Sequence, residues 1–247
     1  MAGHRRRRPR HPVRTRPPAR TGRRACGRRD SQPSDVTRAP LHHELFLIGH
    51  DQTGKPLVHQ HSMAVGLVGA VLLDLALSER VTVGQGRISV ADPTPVGDPV
   101  VDSLVPMLAR DRAERDAKFW IKKLAEDAYD RTRQSLVASN VLVMVTRRRM
   151  GMLPYTRYQL ADIASVVRAS AGVRSAVEGW KQPDGRGAAL CGLVAALRLE
   201  AELYLDQPSA RLIERLREIA VTHSPVVKDV VKLIDDMLGE AAVAVFR

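Results

Sequence analysis

The hydrophobic pattern of the chain is dominated by residues 64–77, AVGLVGAVLLDLAL, in which Asp74 is the one charged residue. A helix that is apolar on every side lies inside a protein core or inside a bilayer. This run is shorter than the roughly 20 residues that cross a hydrocarbon layer, so it predicts a buried central helix. Gly66, Gly69 and Ala70 share one face of it, which predicts close approach of neighbouring helices on that side.

Shorter patterns flank the central helix. Residues 41–49, LHHELFLIG, are mostly apolar and predict a strand, and the DQTGKP that follows predicts a turn. The alternating runs RVTV and RISV, separated by GQG, predict a β-hairpin at residues 80–90. Asp98 followed by Pro99 is typical of a helix that begins with an acidic N-cap and a proline.

The second half of the chain predicts helices interrupted by one further hairpin. VLVMV and PYTRYQL predict two strands on either side of TRRRMGML. Residues 113–139 predict one or two amphipathic helices, whose inward-facing residues are Phe119, Trp120, Leu124, Leu136 and Val137. Four more helices are predicted at residues 161–179, 187–205, 208–222 and 225–245. The predicted fold class is therefore mainly α: a single α-rich domain, residues 41–247, around a central hydrophobic helix, with one or two small β-hairpins.

The positive charge of the chain is concentrated at its start. Residues 1–40 hold 13 arginines and two acidic residues, which accounts for +11 of the net charge of +12. This Arg- and Pro-rich segment has too few apolar residues to fold, and we expect a disordered tail. Three interpretations remain open: an arm that binds a polyanion or an anionic membrane, a solvated tail without a role, or a start codon assigned upstream of an initiation near Val36. The rest of the chain is almost neutral, so we expect nucleic-acid contact only through the tail.

The composition gives little support to redox, secretory or enzymatic functions. Cys26 lies in the tail and Cys191 in an apolar helical pattern, so no disulfide framework is predicted. A cytoplasmic protein is expected, because an apolar signal segment does not follow the arginines and no transmembrane span is predicted. We find no phosphate-binding loop, carboxylate pair or catalytic triad motif, and therefore predict neither enzymatic activity nor a cofactor.

Five histidines suggest a metal site, because imidazole is a common metal ligand: His42, His43, His50, His59 and His61. His42 and His43 would point to opposite faces of the predicted strand, and His59 and His61 would share a face only if extended. No third ligand is identifiable, so no metal site is predicted.

Asp74 stands alone as an acid in the central helix. We expect it to form a structural ion pair, with Arg80 or Arg87 of the next hairpin as its partner.

Four motifs, in this order, resemble the Golgi phosphoprotein 3 (GPP34) family, which has eukaryotic and many actinobacterial members. They are LHHELFLIG, GLVGAVLLDLAL, PTPVGDPVVDSLV and SNVLVMV…PYTRYQL, and the later PDGRGAALCGLVAALRLEAELY is also similar to that family. The resemblance covers about residues 41–246 and implies a mostly helical domain around a central hydrophobic helix. For the eukaryotic members it also implies binding of phosphatidylinositol 4-phosphate, a membrane-inserting hairpin and adaptor contacts with the cytosolic tails of Golgi enzymes.

This sequence departs from the family at the positions that bind the lipid head group. The resemblance places His59 and Val68 where the family has a Trp and an Arg around the central helix. Glu126 and Tyr129 fall near two further pocket arginines, and Arg131 is the nearest remaining cation.

The hairpin tip gives the sharpest functional prediction. Three adjacent cations lie beside apolar side chains that can enter a membrane interface: Arg147, Arg148, Arg149, Met150, Met152 and Leu153. Together with Arg131 they are the predicted lipid-binding residues. They indicate a peripheral membrane protein on the cytoplasmic face, with anionic lipid as its partner and a protein cargo as a second partner class by resemblance.

Two alternatives stay open for the same segment. The tip is also compatible with an ordinary solvated charged loop. A helix followed by strand, basic loop and strand also fits a winged-helix-like nucleic-acid-binding protein or another soluble cytoplasmic regulator. The preceding helix carries Asp116, Glu126, Asp127 and Asp130, whose carboxylates would oppose a DNA backbone.

Overall fold

The structure is a computed structural model that describes residues 38–111, 115–147, 155–161 and 163–245. In these residues it is mainly α, with eight α-helices and two antiparallel sheets of two strands each. The first half contains α1 Leu41–Ile48, α2 Gln60–Leu77, β1 Val81–Gly84, β2 Arg87–Val90, α3 Pro99–Ala109 and α4 Ala117–Ala138. The second half contains β3 Leu142–Arg147, β4 Tyr155–Leu160, α5 Ile163–Val177, α6 Gly185–Ala196, a 3₁₀ helix Glu200–Leu203, α7 Ser209–His223 and α8 Pro225–Val245.

Helix α2 is the centre of the core, as its apolar sequence predicts. Every residue from 63 to 73 is buried, and the helix packs against α1, α4, α6 and α8. The face with Gly66 and Gly69 allows the close approach of neighbouring elements that its spacing predicts. A Cβ at Gly66 would lie 2.7 Å from Leu197, and a Cβ at Gly69 would lie 2.7 Å from Ile234. The neighbouring side chains therefore occupy the space that larger residues on α2 would fill.

The prediction of a strand at residues 41–49 is wrong, because Leu41–Ile48 form helix α1. All its residues except Glu44 are buried, and a short run that is apolar on both sides does not reveal its period. The helix begins after Pro40, because proline has no amide N–H and its ring clashes with a preceding helical turn. As a result His42 and His43 are neighbours on a helix, with ring centroids 4.5 Å apart, and do not lie on opposite faces of a strand.

Both predicted hairpins are present. The β1–β2 pair closes through Gln85 and Gly86, whose φ angles of 51° and 74° give the left-handed two-residue turn that suits a twisted hairpin. Strands β3 and β4 pair from Leu142 with Leu160 to Arg147 with Tyr155. Their connection, residues 148–154, lies outside the described residues.

The predicted partner of Asp74 is wrong. Its carboxylate pairs with Arg186 at the start of α6 and accepts a 2.7 Å hydrogen bond from the Leu41 amide at the start of α1. Arg80 lies at the end of the turn that leaves α2, and its Nε is 3.5 Å from the carboxylate of Asp92. Arg186 supplies the counter-charge for the Asp74 carboxylate. The same carboxylate is the hydrogen-bond acceptor for an amide at the start of α1.

Two details of the helices also differ from the prediction. Phe119 does not face inward: it is 42% exposed, and the Arg115 guanidinium lies 4.8 Å from its ring centroid. The predicted helix 187–205 ends at Ala196, because Arg198 has a φ of 58° that no α-helix accommodates. The other predicted core residues of α4, Trp120, Leu124 and Leu136, are buried.

Candidate functional site

The β3–β4 hairpin is anchored at its base and exposed along its length. Leu142 is buried at the start of β3 and pairs with the partly buried Leu160. Further along β3, Val143 is 42% exposed and Met144 is 61% exposed, although these two side chains point to opposite faces of the strand. Both faces of the hairpin therefore present apolar side chains to solvent.

Two contacts on β4 hold the base of the hairpin. The guanidinium of Arg133 on α4 lies 4.3 Å from the Tyr158 ring centroid, in cation–π geometry. On the loop after α1, Gly54 has a φ of 76°, and a Cβ there would lie 1.8 Å from the Tyr158 carbonyl oxygen. The loop can pack this closely against β4 only because residue 54 is glycine.

Most of the predicted lipid-binding residues lie at or beyond the end of β3. Arg147 is its last residue, and nothing of its side chain is described. Arg148, Arg149, Met150, Met152 and Leu153 lie outside the described residues. In the sequence they belong to the segment that connects β3 to β4, the two paired strands of the exposed hairpin.

Arg131 is not brought to the hairpin. Its guanidinium is 3.3 Å from the carboxylate of Asp127, one turn earlier on α4, and it borders a cavity with Pro99 and Val100 of α3. Residues two apart on a helix lie on nearly opposite sides, so Arg133 is the arginine of α4 that contacts the hairpin. Sequence reasoning missed Arg133. The available signal in the sequence is Tyr129, which lies one helical turn earlier and whose ring the Arg133 guanidinium also contacts.

The four positions that the resemblance aligns with a lipid head-group pocket do not form such a pocket: His59, Val68, Glu126 and Tyr129. Val68 is completely buried, and Tyr129 is buried with its hydroxyl 2.8 Å from Nε2 of His50. Glu126 is exposed and pairs with a lysine three residues earlier, and His59 is exposed at the N-cap of α2. These positions offer two neutral core residues, one anion and one surface imidazole, which is a poor set of groups for a phosphate.

The contact between His50 and Tyr129 is a neutral polar pair inside the core. The Phe46 carbonyl accepts a 2.6 Å hydrogen bond from Nδ1 of His50, so Nε2 of the same ring accepts from the tyrosine hydroxyl. Burial lowers the pKa of His50 to about 4, against a smaller opposing effect of the Phe46 carbonyl, and burial raises the pKa of Tyr129. Both groups are uncharged at neutral pH, so this pair stabilises the fold and does not recognise charge.

A second apolar surface lies at the base of the hairpin. Leu160, Ile163, Val167 and Tyr204 line a cavity of about 590 Å³. Ile163 is 56% exposed and Val167 is 58% exposed. Because β4 rises about 3.3 Å per residue, this surface lies roughly 17 Å from the end of the strand that faces the tip. It thus lies away from Tyr155 and from the backbone of its strand partner, Arg147.

Helix α2 is also the one helix in the described part of the chain that is long and apolar enough to cross a membrane by length and composition. The share of its residues buried inside the protein is 72%. A core helix passes the same length and composition criteria as a membrane span, and this burial matches the core position of α2.

A comparison with known protein families finds a match that spans these elements. The profile of Golgi phosphoprotein 3 (GPP34) matches residues 41–237, which run from the start of α1 into α8 and cover most of the chain. No curated protein matches the sequence. The match includes the central helix, both hairpins and the α4 helix that supports the second hairpin. The chain therefore belongs to the Golgi phosphoprotein 3 (GPP34) family.

Proposed function

We propose that this protein is a peripheral membrane protein of the cytoplasmic face that binds anionic lipid through the β3–β4 hairpin. The observation that carries the proposal is an exposed hairpin with Val143 and Met144 in solvent and the sequence RRRMGML in and after the end of β3. Cations attract the anionic surface, at about 1 kcal/mol each, and adjacent apolar side chains enter the interface. Protein cargo is a further partner class that membership of the family suggests.

The proposed binding depends on charge and not on the identity of the head group. Val68 and Tyr129 are neutral and buried, and Glu126 is an exposed anion, so the positions of the family's phosphate pocket supply no cation to a phosphoinositide. Attraction from a row of arginines is diffuse and falls with ionic strength. We therefore expect similar affinity for different anionic lipids at equal surface charge.

The charge distribution favours a membrane over nucleic acid. Outside the tail the chain is almost neutral, and α4, which supports the hairpin, presents exposed carboxylates from Glu126, Asp127 and Asp130. Each would repel the phosphates of a DNA duplex lying along this helix. In this proposal the basic tail, residues 1–40, accounts for any affinity for nucleic acid.

Vesicle sedimentation tests the proposal. Residues Ala39–Arg247 form a compact unit of their own, so a chain that begins at Ala39 removes the charge of the tail. Its Arg147→Ser/Arg148→Ser/Arg149→Ser variant should bind vesicles of phosphatidylserine or phosphatidylglycerol about 100-fold more weakly, from about 1 kcal/mol per charge. High salt should have a similar effect on the parent chain.

A matched control separates position from net charge. Arg110, Lys181 and Arg211 are exposed cations outside the hairpin, and replacing all three by Ser changes the net charge by the same amount. This control should keep most of the affinity. Equal loss in the control and in the hairpin variant would contradict a local binding surface.

Two further outcomes would reject the proposal. One is a strong preference for phosphatidylinositol 4-phosphate, at matched surface charge, that survives the triple hairpin substitution, because it would require a specific pocket. The other is binding of duplex DNA by the Ala39 chain in the presence of competitor, which would favour the nucleic-acid-binding alternative.

A further inference from the structure

Two buried histidines and one carboxylate meet between the starts of α1 and α3. His42 and His43 belong to the first turn of α1 and are 0% and 8% exposed. Asp98 is the N-cap of α3. One potential ligand atom from each of the three residues lies within 4.8 Å of the other two. The sequence did not reveal this group, because it depends on α1 being a helix and on a residue 55 positions later.

His42 has no hydrogen bond that would explain its burial. Neither of its ring nitrogens has a hydrogen-bond partner, and both are shielded from solvent. Its Nε2 lies 3.6 Å from Oδ2 of Asp98, which is longer than an N–H···O hydrogen bond. Two ligand atoms bound to one tetrahedral zinc ion, each about 2.0–2.1 Å from it, are about 3.3 Å apart. The spacing is therefore closer to that of two ligands than to that of a donor and its acceptor.

The other two residues are held in place by contacts outside the group. Oδ1 of Asp98 accepts hydrogen bonds of 2.8 and 3.2 Å from the amides of Val100 and Val101, which leaves Oδ2 for His42. Nε2 of His43 is 3.0 Å from the Ser135 hydroxyl on α4. Metal-binding histidines and carboxylates in proteins are usually oriented by outer contacts of this kind.

Access and charge are also compatible with a cation. A cavity of about 220 Å³ is lined by Pro99, Val100 and Ser135, which adjoin Asp98 or contact His43, and also by Arg131, whose charge is offset by its ion pair with Asp127. The positive charge of the nearby Arg186 is offset by Asp74 and Glu44, whose carboxylates it contacts.

We propose that His42, His43 and Asp98 bind a divalent transition-metal ion, with Zn²⁺ as the best match. Two imidazole nitrogens and one carboxylate oxygen are borderline ligands that suit Zn²⁺ better than Mg²⁺ or Ca²⁺, which prefer shells made of oxygen. The fourth position would be left to water from the adjoining cavity. The ion would tie the start of α1 to the start of α3, and this role is independent of lipid binding.

The test uses the full chain after chelator treatment, titrated with Zn²⁺ by calorimetry and with Co²⁺ by visible absorption, which reports the coordination geometry. The tail contributes three adventitious ligands, so His4→Gln, His11→Gln and Cys26→Ser are made in every protein compared. We expect one equivalent of Zn²⁺, a Co²⁺ spectrum of tetrahedral or five-coordinate type, and a Zn²⁺-dependent rise in Tm.

Two variants remove a ligand with little change in shape. Asp98→Asn keeps an oxygen that caps α3, and His43→Gln keeps an amide that can reach Ser135. Each should weaken Zn²⁺ binding at least about 100-fold, since loss of an outer contact alone costs about 10- to 100-fold. The matched control is His59→Gln/His61→Gln, which removes two exposed imidazoles near the start of α2 and should leave binding unchanged.

The outcomes are decisive in both directions. Loss of the Zn²⁺-dependent rise in Tm in both ligand variants, while their metal-free Tm stays near that of the parent, supports the site. If one variant does not fold, the other carries the comparison. The proposal is overturned if the parent takes up no Zn²⁺, if both ligand variants bind as the parent does, or if the His59/His61 control loses the binding.

Discussion

Replacing Gly192 by Ala should destabilise the protein, although Ala normally stabilises a helix. Gly192 lies in the middle of α6 and is buried against α7 and α8. A Cβ there would lie 2.6 Å from a methyl group of Val231 and 2.9 Å from the Cβ of Ala220. The Cβ of Ala220 cannot rotate away and the valine has one strongly preferred rotamer in a helix, so α7 or α8 must shift.

The magnitude follows from two opposing terms. The better helix propensity of Ala contributes about 1 kcal/mol, and overpacking of a filled core costs about 1–3 kcal/mol. With two clashing groups that cannot yield, we expect the upper end of that cost and a net loss of about 2 kcal/mol. For a chain of this size, that corresponds to a fall in Tm of roughly 4–8 °C.

Gly172 provides the matched control. It lies inside α5, and a Cβ there would meet no atom within 4 Å. Gly172→Ala should therefore stabilise the protein by about 1 kcal/mol, from propensity alone. The assay is urea unfolding followed by circular dichroism, with the slope against urea checked for equality. If Gly192→Ala were as stable as Gly172→Ala, the close approach of α6 to α7 and α8 would be refuted.

Three other predictions concern single contacts. Asp74→Asn should lower the free energy of unfolding by about 1–3 kcal/mol, because Arg186 loses the nearer of its two carboxylates in a mostly buried place; urea unfolding measures this, and an unchanged midpoint would contradict it. His50 should contribute a fall in stability of about 2–3 kcal/mol from pH 7 to pH 4.5, because its pKa is about 4 in the folded chain and 6.5 ordinarily, so the unfolded chain binds the proton first; His42, whose pKa burial lowers to about 3, adds to the fall of the whole protein. A His50→Gln variant should show a smaller fall, and an identical pH dependence would count against this assignment. Gly54→Ala should cost about 2 kcal/mol or more, since its φ is 76° and the new Cβ would meet the Tyr158 carbonyl; faster hydrogen exchange in β3 and β4 is the readout, and unchanged protection there would refute the contact.

The sequence was most informative where one strong pattern decided the structure. The apolar run of α2 is too long for a strand, and Asp98–Pro99 marks a helix start by local chemistry alone. The β1–β2 hairpin was equally accessible, because two alternating β-branched runs flank a short segment with Gly84 and Gly86, and Gly86 adopts one of the two positive φ angles of the turn. These features depend on neighbours in the sequence.

The errors occurred where distant residues decide the outcome. Helix α1 is buried on all sides, so it lacks the polar face that would have revealed its period. The partner of Asp74 comes from a helix 112 residues later. Arg133 was missed because its contact with Tyr158 on β4 depends on how α4 is rotated in the packed structure, while the role of Arg131 in lipid binding stays a prediction. Lipid binding at the tip stays a prediction.

The contact between Asp74, Arg186 and the start of α1 also bears on how the chain is made. Arg186 bonds to the Ala39 carbonyl as well as to Asp74, so the anchor of the first helix is translated 147 residues after the residue that it holds. At about 5–20 residues per second, a ribosome needs on the order of 10 s to reach it. During this interval the apolar residues of α1 and α2 have emerged without the α6 and α8 surfaces that later cover them. Nascent chains stalled before Arg186 should therefore be good substrates for chaperones that bind exposed apolar segments.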